Sequence, residues 1–132
     1  MVDLWHSRSV GLKVWGFDVD PHVLASKFQV LSEANAKGSG HGNVSRFKEN
    51  QLHLVHQINE GDSWGDSLVS LVSGLGGVQN VLSELTLICP KNFFFVVNLP
   101  LSDFQYQQSN DFSLECINIL NELGCDVTFN FF

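Results

Sequence analysis

The run Phe93-Phe-Phe-Val-Val97 constrains this chain more than any other stretch. Consecutive apolar residues in a strand place side chains on both faces of a sheet. The segment from Phe93 to Leu99 is therefore expected as a central, covered strand. Pro100 ends it. Such a strand needs neighbours, and the sequence offers several. From Ser9 to Val19, Val10, Leu12 and Val14 alternate with Lys13 and Trp15. From Phe47 to Ile58, Leu52 and Leu54 alternate with His53. From Cys125 to Phe132, Val127, Phe129 and Phe131 alternate with Asp126, Thr128 and Asn130. Leu85 to Cys89 reads as a further strand, joined to Phe93 through Pro90-Lys-Asn92 in a hairpin.

Between these strands the apolar period changes to that of helices. Asp20 is a good N-cap and Pro21 suits the first helical position, so a helix is expected from Pro21 to about Leu31, with Val23, Leu24, Phe28 and Leu31 on its buried stripe. Asp62 or Ser63 caps a second helix bearing Trp64, Leu68, Leu71 and Val72. Gly74, Gly76 and Gly77 stop it, and a short helical turn over Val78–Leu82 follows. Asp111 or Ser113 starts a last helix with Leu114, Ile117, Leu120 and Leu123 inward and Gly124 as its stop. Residues 32–44, rich in Ser, Gly, Asn and Ala, read as a flexible loop.

The order is roughly strand, helix, strand, helix, two strands, helix, strand. This implies an α+β fold with one mixed, largely antiparallel sheet and helices packed mainly on one face. The 132 residues make one domain, 1–132, with core enough to need no staples. Three cysteines, an odd number without a C-x-x-C pair, argue against a disulfide framework and fit a reducing compartment. The first ten residues hold no apolar core of a secretory signal, and no apolar run approaches a membrane span, so a cytoplasmic protein is expected.

Charge is unevenly placed. Residues 1–56 carry five acids and six bases, whereas residues 57–132 carry nine acids and one base, Lys91, a formal −8. That argues against phosphate binding as the main task and suits a basic partner. No catalytic constellation is legible. The glycines of Gly38-Ser-Gly-His-Gly42 lack both the Walker and the dinucleotide patterns. Val72-Ser-Gly-Leu75 resembles a nucleophile elbow only superficially. His53 and His56 point to opposite faces if their segment is a strand, so they do not chelate one metal. Asp18 and Asp20 are accounted for by turn and cap. Buried, structural thiols are the default for Cys89, Cys116 and Cys125. No cofactor, no metal and no enzyme activity are expected.

Two pieces carry a family resemblance: the strand, Asp18-Val-Asp-Pro21 and the helix after it, and the C-terminal unit Phe112 to Phe131 with its helix, Gly124 and closing strand. They resemble a bacterial family of small α+β domains named only as a domain of unknown function. The resemblance implies a fold more than an activity. In general character the chain is also similar to bacterial toxin-immunity proteins, which are small, acidic, cytoplasmic inhibitors of a toxin. No residue is carried over from that likeness.

The expected function is thus an immunity-type protein that binds and neutralises a basic toxin domain, such as a nuclease, by blocking its active site. Its expected partner-binding residues are Glu60, Asp62, Trp64 and Asp66, then Asp103, Tyr106 and Asp111. Neither nucleic acid nor membrane is an expected partner, and the protein is expected as a monomer or homodimer. The alternative is a small-molecule-binding domain or enzyme with a pocket between helix and sheet, where His53 and a carboxylate converge.

Overall fold

The computed structural model describes residues 7–40, 47–59, 61–100 and 113–132. The elements run β1 (Ser9–Trp15), α1 (Pro21–Ala25), β2 (Leu31–Asn35), β3 (Gln51–Gln57), α2 (Trp64–Gly74), α3 (Val78–Ile88), β4 (Asn92–Leu99), α4 (Leu114–Leu123) and β5 (Val127–Phe131). The five strands form one sheet in the order β2-β3-β1-β4-β5. Three pairings are antiparallel, and β4 with β5 is parallel. The fold is α+β with a mixed sheet, as the alternation implied. A parallel pair needs a long crossover, and α4 belongs to the one joining β4 to β5.

The helices pack on one face. Val10, Leu12 and Val14 of β1, Leu52 and Leu54 of β3, and Phe95, Val97 and Leu99 of β4 point into them. They meet Leu68, Leu71, Val72 and Leu75 of α2 and its end, Val81 and Leu85 of α3, and Cys116, Ile119 and Leu123 of α4. Burying one such side chain contributes about 1.5–3 kcal/mol, so Phe95, fully enclosed, is among the larger contributors. Between α1, α3 and the sheet only about 20 Å³ is left open, room for no more than a water molecule.

Three elements differ from the sequence expectation. First, α1 stops at Ala25. Asp20 and Pro21 start it as expected, with the Asp20 carboxylate accepting from the His22 N–H at 2.9 Å. The Ser26 hydroxyl then donates to the Val23 carbonyl, and the chain turns so that Leu31–Asn35 pairs along β3 as an edge strand. Part of the expected 32–44 loop is therefore sheet. Second, the strand expected at Leu85–Cys89 is the end of α3, so there is no hairpin through Pro90. Val78, Val81, Leu82, Leu85 and Ile88 share one helical face, and Cys89 closes the helix in the left-handed region at φ 47°. Third, the buried stripe of α4 is Cys116, Ile119 and Leu123. Leu114 and Ile117, expected inward, are exposed.

The cap residues are settled by geometry. Ser63 caps α2, its hydroxyl accepting from the Asp66 N–H, and Ser113 caps α4, accepting from the Cys116 N–H, both at 3.1 Å. Gly124 ends α4 at φ 64°. Between α2 and α3 the chain turns by 66° across Gly76 and Gly77, whose φ values of 95° and 90° favour glycine. Among the described residues, no single helix is long and apolar enough to cross a membrane.

Candidate functional site

The sequence pointed to the start of α2, and the structure rearranges that patch. Asp62 and Asp66 are exposed, the latter in the first turn of α2, where the helix dipole favours a carboxylate. Trp64 is not at the surface. It is 4% exposed and packs its ring edge-on to Phe129, centroids 5.1 Å apart and planes at 88°. The aromatic surface at this end belongs to β5. Phe129 is 41% exposed and stacks with Phe131, 39% exposed, at 6.3 Å and 11°. Both lie in register beside buried residues of β4, Val97 and Leu99, but β5 is the sheet edge.

α4 begins at the same end. Cys116 is buried there, which pushes its thiol pKa up, and the nearby charge of Asp66 pushes it further. Glu115, in the first turn of α4, is exposed. Two described bases are ion-paired elsewhere: Lys27 with Glu84 at 3.2 Å, and Lys91, the only base of residues 57–132, with Glu49. Among the described residues no ion pair engages Asp62, Asp66 or Glu115. Glu60, Asp103, Tyr106 and Asp111 lie outside the described residues.

A second feature lies on the opposite face of the sheet, which no described helix covers. There Glu33 of β2 and Lys13 of β1 flank His53 of β3 in one cross-strand row. Gly11 sits one step along β1. A Cβ there would lie 2.1 Å from His53 Nε2, so the missing side chain is what lets the imidazole lie down on β1. Nε2 is buried and has no hydrogen-bond partner among the described residues. Burial, then the charge of Lys13, lowers the His53 pKa to about 4, with Glu33 pulling the other way. The ring is thus neutral at neutral pH. His56 falls on the helix side, opposite Val10, as strand alternation required.

Beside His53 is a cavity of about 270 Å³, walled by Lys13, Glu33, Gln51, Phe47, Val96 and Asn98 among others. Phe47 is fixed by backbone bonds to Gly38 and Ser39, at 2.8 and 2.9 Å. Asn98 is held from both sides: its amide donates to the Ser9 hydroxyl at 3.1 Å, and its carbonyl accepts from Asn130 at 2.9 Å. The two groups that anchor this ladder, Ser9 and Asn98, are buried and satisfied, so the cavity has a rigid polar wall.

The sequence suggested a pocket between helix and sheet where His53 and a carboxylate converge; among the described residues, His53 faces the other side of the sheet, next to Glu33. Gly11 was not singled out, and Phe129 and Phe131 were read as one face of the closing strand, not as partner-binding residues. A glycine inside the regular alternation Val10-Gly-Leu-Lys-Val14 was the available signal, because glycine in a strand interior often marks close approach by another group.

Among the described residues no three His, Cys, Asp or Glu side chains are grouped to hold a metal ion. Cys116 is buried and Cys125 half-buried, its thiol pushed up to about 11 by burial and by Asp126. Cys89 departs from the expected burial and is exposed, its Sγ donating to the Thr86 carbonyl at 3.2 Å. Comparison with known proteins found no matching family model, no matching curated protein and no matching solved structure.

Proposed function

We propose that this domain is an immunity-type inhibitor, which binds a basic bacterial toxin domain in the cytoplasm and blocks its active site. The observation that carries the reading is the pair of exposed, stacked rings of Phe129 and Phe131 on an edge strand, at the end of the domain that also carries the exposed carboxylates of Asp62 and Asp66. Exposed aromatic surface next to like charge is the composition of a protein interface: an apolar centre with a polar rim. Trp64 serves it from beneath, by holding the Phe129 ring upright. The carboxylates steer a basic partner and set the association rate, while the Phe pair sets the lifetime of the complex. The acidic excess of residues 57–132 and the general likeness to immunity proteins support the same reading.

The test is co-expression with the product of the adjacent gene in the source genome. The reading expects that product alone to arrest growth and this protein to restore it through a one-to-one complex. Rescue should fail with Phe129→Ser/Phe131→Ser. An adjacent product that is harmless, or that forms no complex with this chain, overturns it.

A further inference from the structure

The hydrogen bonds of β5 fix which of its backbone groups face outward. The Phe95 N–H donates to the Asp126 carbonyl at 2.9 Å, and the Phe132 N–H donates to the Leu99 carbonyl at 3.0 Å. In the parallel register, with Phe95 beside Val127, this turns the amides and carbonyls of Thr128 and Asn130 toward β4. Those of Val127 and Phe129 therefore point away from the sheet, and no hydrogen bond among the described residues engages them. Edge strands are usually guarded against pairing with another chain by a charge, a proline or a bulge. The stretch Val127-Thr-Phe-Asn-Phe131 has none of the three. One side chain at this edge also has a donor to spare. The Asn130 amide donates once, to Asn98, at the end of the row from Ser9, and its second N–H has no partner among the described residues.

We propose that β5 pairs antiparallel with β5 of a second copy of this chain, about a two-fold axis through Thr128. In that register Val127 lies opposite the second copy's Phe129, and the two exchange both backbone bonds; symmetry repeats the exchange on the other side of the axis. The facing side chains also match. Val meets Phe on the helix side, and on the other face Thr128 meets Thr128 and Asn130 meets the second copy's Asp126. The last pair gives the spare Asn130 N–H a carboxylate, so the row Ser9, Asn98, Asn130 continues into the next chain. An axis through Phe129 instead would set Asp126 against Phe132, an acceptor without a side-chain donor. The two Asp126 carboxylates stay roughly 14 Å apart, beyond the screening length at physiological salt. This pairing rests on the geometry of the edge and not on the toxin reading. It covers the strand that bears Phe129 and Phe131, so the second copy and a toxin compete for it.

The experiment is analytical ultracentrifugation of the full chain at concentrations up to roughly 1 mM, where pairing with a Kd of that order or tighter is populated. The proposal expects reversible dimerisation of the parent. It expects at least roughly tenfold weaker pairing in Thr128→Lys, which sets two cations face to face across the axis. Thr128 is exposed, so the unfolding midpoint of this variant should match that of the dilute, monomeric parent. Thr128→Cys, made in a Cys89→Ser background to remove the exposed native thiol, should form a covalent dimer on mild oxidation, and the background alone should not. The facing Cα atoms on the axis lie about 4.5 Å apart, within reach of a disulfide. A parent that stays monomeric at every concentration overturns the proposal and leaves the edge to the toxin alone. A dimer as tight in Thr128→Lys as in the parent, or no covalent dimer from Thr128→Cys, also overturns it. None of these results bears on the toxin-binding reading, whose test is the rescue of growth.

Discussion

Replacing Gly11 with alanine tests the relation between β1 and His53 directly. Gly11 has no positive φ, so alanine fits the backbone, and relieving glycine of its conformational freedom should by itself stabilise the strand by about 0.5–1 kcal/mol. The obstacle is the ring: the new Cβ would lie 2.1 Å from Nε2 and 2.7 Å from Cδ2 of His53, well inside contact distance. The ring or the strand must move, at a cost of about 1–3 kcal/mol for overpacking of this kind. The net expectation is a loss of about 1–2 kcal/mol. In a His53→Ala background the obstacle is gone, and the same substitution should become stabilising. The assay is urea unfolding of parent, both single variants and the double variant, followed by tryptophan fluorescence at constant m-value. A coupling of about 1–3 kcal/mol, with a change of sign, is expected. If Gly11→Ala has the same sign and size in both backgrounds, the ring does not rest on Gly11 and the account of this face is wrong.

Further outcomes follow from the same structure. His53 titrates near 6.5 when unfolded and at about 4 in the folded protein, so the unfolded state takes up the proton first as pH falls. The stability this group contributes is complete above about pH 6.5 and is lost as pH drops through about 4, on the order of 3 kcal/mol in all. Stability should therefore fall more steeply between those values in the parent than in His53→Gln, measured by urea unfolding across the range. Ser63→Ala and Ser113→Ala should each cost about 1 kcal/mol by removing a cap, read by the same unfolding assay. Ellman's reagent should modify Cys89 rapidly in the folded protein, with Cys116 reacting only on unfolding, since one is exposed and the other fully enclosed.

The parts of the fold that were legible in the sequence are those where local chemistry and tertiary packing agree. Asp20-Pro21 starts a helix, Gly124 stops one, and the alternation around Leu12 and Leu54 is strand because each turns one face to the helices. The Phe93–Val97 strand is interior, between β1 and β5, though the described helices cover only its Phe93, Phe95 and Val97 side. The misreadings occur where two periods compete. In Leu85-Thr-Leu-Ile-Cys89 the alternation suggests a strand, but its apolar residues also continue the spacing of Val78 and Val81, and helix packing decides the matter. In Leu31–Asn35 nothing local favours a strand; pairing along β3 creates it. The candidate surface was half legible. The carboxylates beside Ser63 were readable as a patch, but Trp64 and Phe129 exchange roles, because which ring faces water depends on where the sheet ends. The row Glu33, His53, Lys13 could not be seen at all, since strand register brings together residues far apart in the chain.

The central claim concerns the acidic, aromatic end of the domain, and association kinetics with the adjacent gene product test it most directly. On-rates and off-rates are measured across a range of salt for the parent, Asp62→Asn/Asp66→Asn and Phe129→Ser/Phe131→Ser. The account predicts that salt slows association of the parent, that removing the two charges flattens this dependence with little effect on dissociation, and that removing the two rings speeds dissociation at least tenfold, in line with loss of interface anchors. A complex whose association ignores salt and whose lifetime is unchanged without Phe129 and Phe131 would contradict it.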